Sequence, residues 1–234
     1  MGSVFWFKQF EVDQAGCAMR INTDGVLLGA VAAQSAPLSI LDIGTGTGVI
    51  AMMLGQRFPD AHIDAVEIDP SAAAAAAQNF SRSPFAHRTA VFPVSIENYK
   101  STVKYDLIVS NPPYFVNDLK NPEKRKEIAR HADAYFFDML LKATAGMLNP
   151  DGLLWFILPV KQAENVIINA VLQKLFPAKI IDIYSDKTKE PFRQIICLGF
   201  GMKDVVREQV YIYAAQGVYT DQYKHLLRDF FLAF

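Results

Sequence analysis

Asn111-Pro112-Pro113-Tyr114 carries the sharpest chemistry in this 234-residue chain. The four residues follow Tyr105-Asp106-Leu107-Ile108-Val109, an apolar run that reads as a buried parallel strand. Two successive prolines can neither extend a sheet nor enter a helix without a sharp exit. They hold Asn111 and Tyr114 at the strand's C-terminal end, the edge where open α/β sheets bind ligands. The Asn111 amide oxygen and the Pro112 carbonyl can both accept hydrogens from one NH₂ group. Tyr114 adds a flat face for stacking. A planar amine held and stacked in this way is the acceptor that an amino-methylating enzyme requires. Without that chemistry the motif is a stiff turn closing a strand.

A second motif lies upstream. The strand Ile40-Leu41-Asp42-Ile43 runs into Gly44-Thr45-Gly46-Thr47-Gly48, and Val49, Ile50, Met52, Met53 and Leu54 then open a helix. Glycines permit a tight turn and a close approach of ligand to main chain. A dinucleotide fingerprint is G-x-G-x-x-G; here the third glycine comes one residue early, which weakens a pyrophosphate reading. The next strand, Ile63-Asp64-Ala65-Val66-Glu67-Ile68, ends on an acid 19 residues after Gly48. An acid so placed can receive two ribose hydroxyls. The plain alternative is a tight turn and a solvated Glu67.

Together the motifs resemble class I S-adenosylmethionine-dependent methyltransferases. In that resemblance Asp42, Gly44, Gly46 and Gly48 form the methionine-side loop, Glu67 is the ribose acid, and Asn111, Pro112 and Tyr114 are catalytic, with Asn111 also facing the cofactor. Further segments narrow the likeness: Phe7-Lys8-Gln9-Phe10, the run Cys17 to Ala30 that contains Asn22-Thr23-Asp24-Gly25, and Ala129-Arg130-His131. The set resembles the tRNA(Val)-type adenine N6-methyltransferases, which modify the adenine 3′ of the anticodon. It implies S-adenosylmethionine as cofactor, tRNA as partner and a cytoplasmic enzyme. Thr23 and Asp24 would line the cofactor pocket, although Asp24 equally suits a helix N-terminus. One position departs from the family. Ser95 stands where an Asp usually binds the cofactor's adenine amino group; a hydroxyl can still accept a hydrogen bond but brings no charge.

Rival readings share the same two motifs. Methyltransferases acting on the glutamine of release factors usually carry an N-terminal helical bundle, for which about 38 residues before the first strand are too few. Enzymes acting on DNA adenine usually carry a recognition insert, and none is evident; an rRNA adenine is the remaining nucleic-acid alternative.

A net charge of −1 sets no global attraction to nucleic acid, so phosphate contacts must come from local clusters. Lys124, Arg125, Lys126 and Arg130, with His131, directly follow the Asn-Pro-Pro-Tyr motif and are candidates to hold RNA; otherwise they are a solvated charged face. Lys187, Lys189 and Arg193 form a second basic stretch. Cys17 and Cys197 lack metal-type spacing, so no metal site is expected. No apolar run approaches the ~18 residues that span a bilayer, and Met1-Gly2-Ser3-Val4 does not open a signal peptide. A monomer or weak dimer is expected.

These residues need a scaffold. The pattern is α/β: a doubly wound, mostly parallel, seven-stranded Rossmann-like sheet with a short N-terminal extension. The chain reads as one methyltransferase domain over 1–234, with an extension at 1–37, a cofactor-binding core at 38–201 and a C-terminal strand and helix at 202–234. Short strands are expected at 4–12 and 17–21, and a helix from Asp24 to Gln34. Strands follow at 38–43, 62–67, 89–94, 105–110 and 153–158. Asp69-Pro70 starts an alanine-rich helix. Further helices are expected at 135–148 and 162–175, beyond a polar loop after Tyr114. A hairpin-like pair at 180–184 and 194–201 ends the sheet, with a tail strand at 210–214 and a helix at 220–231.

Overall fold

The computed structural model of the protein describes residues 3–17, 20–112 and 122–234, giving the backbone alone for 122–133. A hairpin of β1 (Val4–Trp6) and β2 (Glu11–Asp13) precedes α1 (Thr23–Val31). Then come β3 (Ser39–Ile43), α2 (Val49–Arg57), β4 (His62–Val66), α3 (Pro70–Arg82), β5 (Thr89–Phe92) and β6 (Tyr105–Ser110). The second half holds α4 (Pro122–Met147), β7 (Leu148–Leu158), α5 (Val160–Ala170), β8 (Leu175–Tyr184), β9 (Arg193–Phe200) and β10 (Val206–Tyr211). A small pair, β11 (Tyr213–Ala215) and β12 (Val218–Tyr219), leads to α6 (Asp221–Leu227).

Among the described residues one sheet of eight strands runs in the order β10-β8-β9-β7-β6-β3-β4-β5. All neighbours pair parallel except β9, which is antiparallel to β7 and β8. The eighth strand is the expected tail strand, shifted to 206–211. It joins the main sheet along β8, where Lys179 and Glu208 pair at 2.7 Å and Val210 is buried.

Alternation explains why the central strands read as unbroken apolar runs. On β3, Ile40 enters one core and Leu41 the other; on β6, Leu107 and Val109 face the first and Ile108 the second. Both faces are covered, as parallel sheets require. The first core includes α1, α2, Phe80 of α3, α6 and the N-terminal hairpin; the second includes α4 and α5. The alanines of α3 follow an Asp69 N-cap, whose side chain accepts from the Ala72 N–H, and Pro70 at the first turn, a start worth about 1 kcal/mol.

Local differences from the sequence reading have local causes. Residues 17, 20 and 21 form no strand; the Ile21 N–H instead donates to the Gln14 side chain at 2.7 Å. Helix α4 begins at Pro122 rather than Tyr135, because proline is well tolerated in a first helical turn. Lys124 to His131 therefore lie on helical backbone rather than in a polar loop. Strand β7 starts at Leu148, running through Pro150 and Gly152 beside a register irregularity opposite β6.

Candidate functional site

The glycine loop joins β3 to α2 at the C-terminal edge of the sheet. Gly44, Gly46 and Gly48 have φ of 71, 57 and 87°, a region that costs an L side chain roughly 1–2 kcal/mol. Nothing lies within 4 Å of where a Cβ on Gly44 or Gly46 would stand. The space above both is open to a ligand. Gly48 is required for a second reason: its Cβ would meet Phe80 of α3 at 2.5 Å.

Two carboxylates organise this loop. Glu67, directly after β4 and 8% exposed, accepts from the Gly46 N–H through Oε2 and from the Asp69 N–H through Oε1, both at 2.9 Å. Each oxygen keeps lone-pair capacity for a further donor, so Glu67 can take a pair of hydroxyls. Asp42 is fully buried. Its Oδ2 accepts from Thr45 Oγ1 at 2.6 Å and from the Ala51 N–H at 3.2 Å, tying the loop to the first turn of α2. Its Oδ1 is buried with no hydrogen-bond partner among the described residues. Burial pushes the Asp42 carboxyl up to about 7, against the pull of the Thr45 and Ala51 hydrogen bonds.

Asn111 follows β6, the strand next to β3. Ser110 locks the two strand ends together, its hydroxyl donating to the Ile43 carbonyl at 2.9 Å. A Cβ on Gly25 would lie 3.8 Å from Asn111 Nδ2 and 3.7 Å from Val49 Cγ1. The Asn111 amide, the start of α1 and the exit of the glycine loop thus converge on one spot. Asn22 caps α1 by accepting from the Gly25 N–H at 2.9 Å. Thr23, exposed, and Asp24, 8% exposed, begin that helix. Asp24 is paired with Arg193 of β9, Nε to Oδ2 at 2.8 Å. Arg193, part of the second basic stretch, is thus tied to the start of α1.

Ser95 stands three residues beyond the end of β5 and heads a turn. Its Oγ accepts from Asn98 Nδ2 at 3.0 Å and its carbonyl from the Asn98 and Tyr99 N–H groups. Pro112 is buried. Tyr114 lies outside the described residues, as do the side chains of Lys124, Arg125, Lys126, Arg130 and His131. Two positions escaped the sequence reading. Asn79, 2% exposed on α3, donates to the Thr47 and Asp13 carbonyls at 2.9 and 3.0 Å and accepts from the Asp13 N–H at 2.9 Å. It clamps the glycine loop to the N-terminal hairpin. Its signal was one amide on the packed side of an alanine helix. Ile68 is 71% exposed immediately after Glu67, an apolar residue at the mouth of a polar site.

The chain matches the family model described as the methyltransferase small domain over residues 22–179. A tRNA1(Val) (adenine(37)-N6)-methyltransferase of Pedobacter heparinus is 58% identical to it over 234 residues, covering 100% of both chains. One of the same description from Bacteroides thetaiotaomicron is 40% identical over 97% of each chain. Among solved structures, a predicted O-methyltransferase from Agrobacterium tumefaciens superposes with a TM-score of 0.68 at 16% identity, over 88% of this chain and 96% of that one. That last likeness concerns the fold alone.

Proposed function

This chain belongs to the methyltransferase small-domain family, among the tRNA1(Val) (adenine(37)-N6)-methyltransferases, and on that premise we propose that it methylates the exocyclic N6 of an adenine in the tRNA anticodon loop. The observation that carries this reading is the convergence of the Asn111 amide with the exit of the glycine loop at Gly25. An amine-gripping group and a cofactor cradle must meet if a methyl is to pass between them.

The residues present fit S-adenosylmethionine. Gly44 and Gly46 leave open space over the loop, and Glu67 is preset by two backbone N–H groups to receive ribose hydroxyls. Asp42, fully buried, ties the loop to the first turn of α2 through Thr45 and the Ala51 N–H and so holds the cradle in shape. Ile68 offers apolar surface to the adenine end, and Ser95 a hydroxyl. Thr23 and Asp24, next to Gly25 at the start of α1, would line the pocket beside Asn111. Bound there, S-adenosylmethionine supplies an electrophilic sulfonium methyl.

The amine of adenine is a weak nucleophile because its lone pair is delocalised into the ring. Asn111 Oδ1 and the Pro112 carbonyl accept its two hydrogens, which favours a tetrahedral nitrogen with the lone pair free to attack. Tyr114 stacks on the base once it is turned out of its loop. The loop and Asn111 hold the partners in line, so positioning and fixed dipoles supply most of the rate. No base is needed before attack, since the ammonium formed is acidic and loses its proton readily. Lys124, Arg125, Lys126, Arg130 and His131, on the helix that follows, hold the RNA.

The test is transfer of tritiated methyl from S-adenosylmethionine to total tRNA, DNA and a release-factor peptide, followed by mass spectrometry of digested tRNA. N6-methyladenosine in tRNA is the expected product. Label on a glutamine of the peptide, with none on tRNA, would move the assignment to the glutamine enzymes.

A further inference from the structure

We propose that Phe192, backed by Arg193, is a stacking platform for an unpaired nucleobase next to the target adenine. The proposal rests on the tRNA reading above and names a contact of that substrate.

Single exposed apolar residues are common and need no explanation. Phe192 differs in how completely it is held. Its N–H donates to the Ile183 carbonyl at 3.0 Å, and its own carbonyl accepts from Arg193 Nη1 at 3.0 Å. The Arg193 guanidinium carbon lies 5.4 Å from the ring centroid. Arg193 is itself anchored by Asp24 at 2.8 Å. Backbone and guanidinium are thus fixed around a side chain that is still 37% exposed. An aromatic ring on a fixed backbone and braced by a guanidinium loses less freedom when it stacks than one on a mobile loop.

Its place in the fold points to RNA. Ser110, Phe156 and Ile196 share one row across β6, β7 and β9. Strand β9 is antiparallel to β7, so Phe192, four residues before Ile196, stands beyond that row on the side where the parallel strands end. Asn111 leaves the sheet on the same side. Two strand spacings separate them laterally, about 10 Å, and three residues along the strand direction add about as much again, so the two stand roughly 14 Å apart. A stacked neighbour rises only ~3.4 Å, so the ring is too far to serve the base gripped at Asn111 and is placed for an unpaired base further along the splayed, unstacked loop. Bases of single-stranded loops stack on aromatic rings and on arginine planes, and this pair offers both. Lys187 and Lys189 on the same connection are offset by Asp186 and Glu190. Charge there is weak, and stacking carries the contact.

The experiment is steady-state kinetics on tRNA with Phe192→Ala, Phe192→Leu and Phe192→Trp, repeated with an anticodon-stem RNA made abasic at either neighbour of the target adenine. Phe192→Ala should lower kcat/KM for tRNA roughly 5- to 100-fold, the range for loss of one stacked base. S-adenosylmethionine affinity should stay unchanged. Phe192→Trp should retain activity, while Phe192→Leu, apolar but without a ring face, should behave as alanine does. One abasic RNA should cost the wild type about the same factor and cost Phe192→Ala nothing more. Leu equal to wild type, or ring and base losses that simply multiply, would overturn the platform. So would an unaffected Phe192→Ala in an enzyme that methylates tRNA. A wild type that methylates no tRNA would overturn the tRNA reading itself, and the platform with it.

Discussion

Arg193 and Asp24 stand 169 positions apart in the chain and 2.8 Å apart in space. The contact joins the antiparallel strand β9 to the first turn of α1, whose Gly25 lies against Asn111. Arg193→Ala takes this guanidinium from a carboxylate whose side chain is 11% exposed. Breaking a fully buried pair costs about 3–5 kcal/mol. Arg193 is 24% exposed, and solvent screening lowers the expected loss to roughly 1–3 kcal/mol. Asp24→Asn combined with Arg193→Gln should recover part of it. A urea-unfolding cycle showing strictly additive losses would mean that the two side chains are not coupled.

On the proposed mechanism Asn111 acts at the transition state. Asn111→Ala should lower kcat by about two decades or more, comparable to removing a donor from an oxyanion hole, and leave tRNA and S-adenosylmethionine affinity nearly intact. If the variant kept its saturated rate but bound tRNA poorly, Asn111 would be a docking residue.

Glu67 should bear on cofactor binding. On the proposed cofactor pose, Glu67→Ala removes the acceptor for two ribose hydroxyls and should weaken S-adenosylmethionine binding by about 1–3 kcal/mol, read by calorimetry. Unchanged affinity would remove the ribose role.

The loop glycines should separate into two kinds. Gly46→Ala strains a φ of 57° and places a methyl in open space, so the fold should survive with a loss of roughly 1–2 kcal/mol and poor cofactor binding. Gly48→Ala drives a methyl into Phe80 at 2.5 Å and should cost more stability. Thermal melts with and without S-adenosylmethionine compare the two; equal melting losses would contradict the packing argument.

The buried Asp42 makes stability depend on pH. Burial pushes its carboxyl to about 7, above the ordinary Asp near 4. Between those values the folded chain holds a proton that the unfolded chain has released. The stabilisation is complete below about pH 4 and is lost as pH rises through 7. Asp42→Asn stays neutral and keeps an acceptor for Thr45 and Ala51. Relative to that variant, the cofactor-free protein should lose stability between about pH 4 and 7 in urea titrations. A constant difference would place the Asp42 titration elsewhere.

Local pattern was enough to locate the βα units, the glycine turn, the Asp69 cap and the exit of β6 at Asn111. Each depends on neighbours within a few residues: alternation over a strand, a proline that blocks a ladder, a glycine that accepts positive φ. The same locality explains the errors. Asn121-Pro122 carries the same kind of cap-and-proline start as Asp69-Pro70, but the charged run after it outweighed that signal, and nothing in 206–211, exposed over most of its length, announces that it pairs with β8. Only the tertiary structure decided that Arg193 belongs to Asp24, that Asn79 clamps Thr47 to Asp13, that Ser110 ties β6 to Ile43, and that the Arg193 guanidinium lies beside the Phe192 ring. These contacts bring together residues far apart in the chain, and their partners are chosen by the sheet order and by the closing of two cores, which no short window of sequence contains.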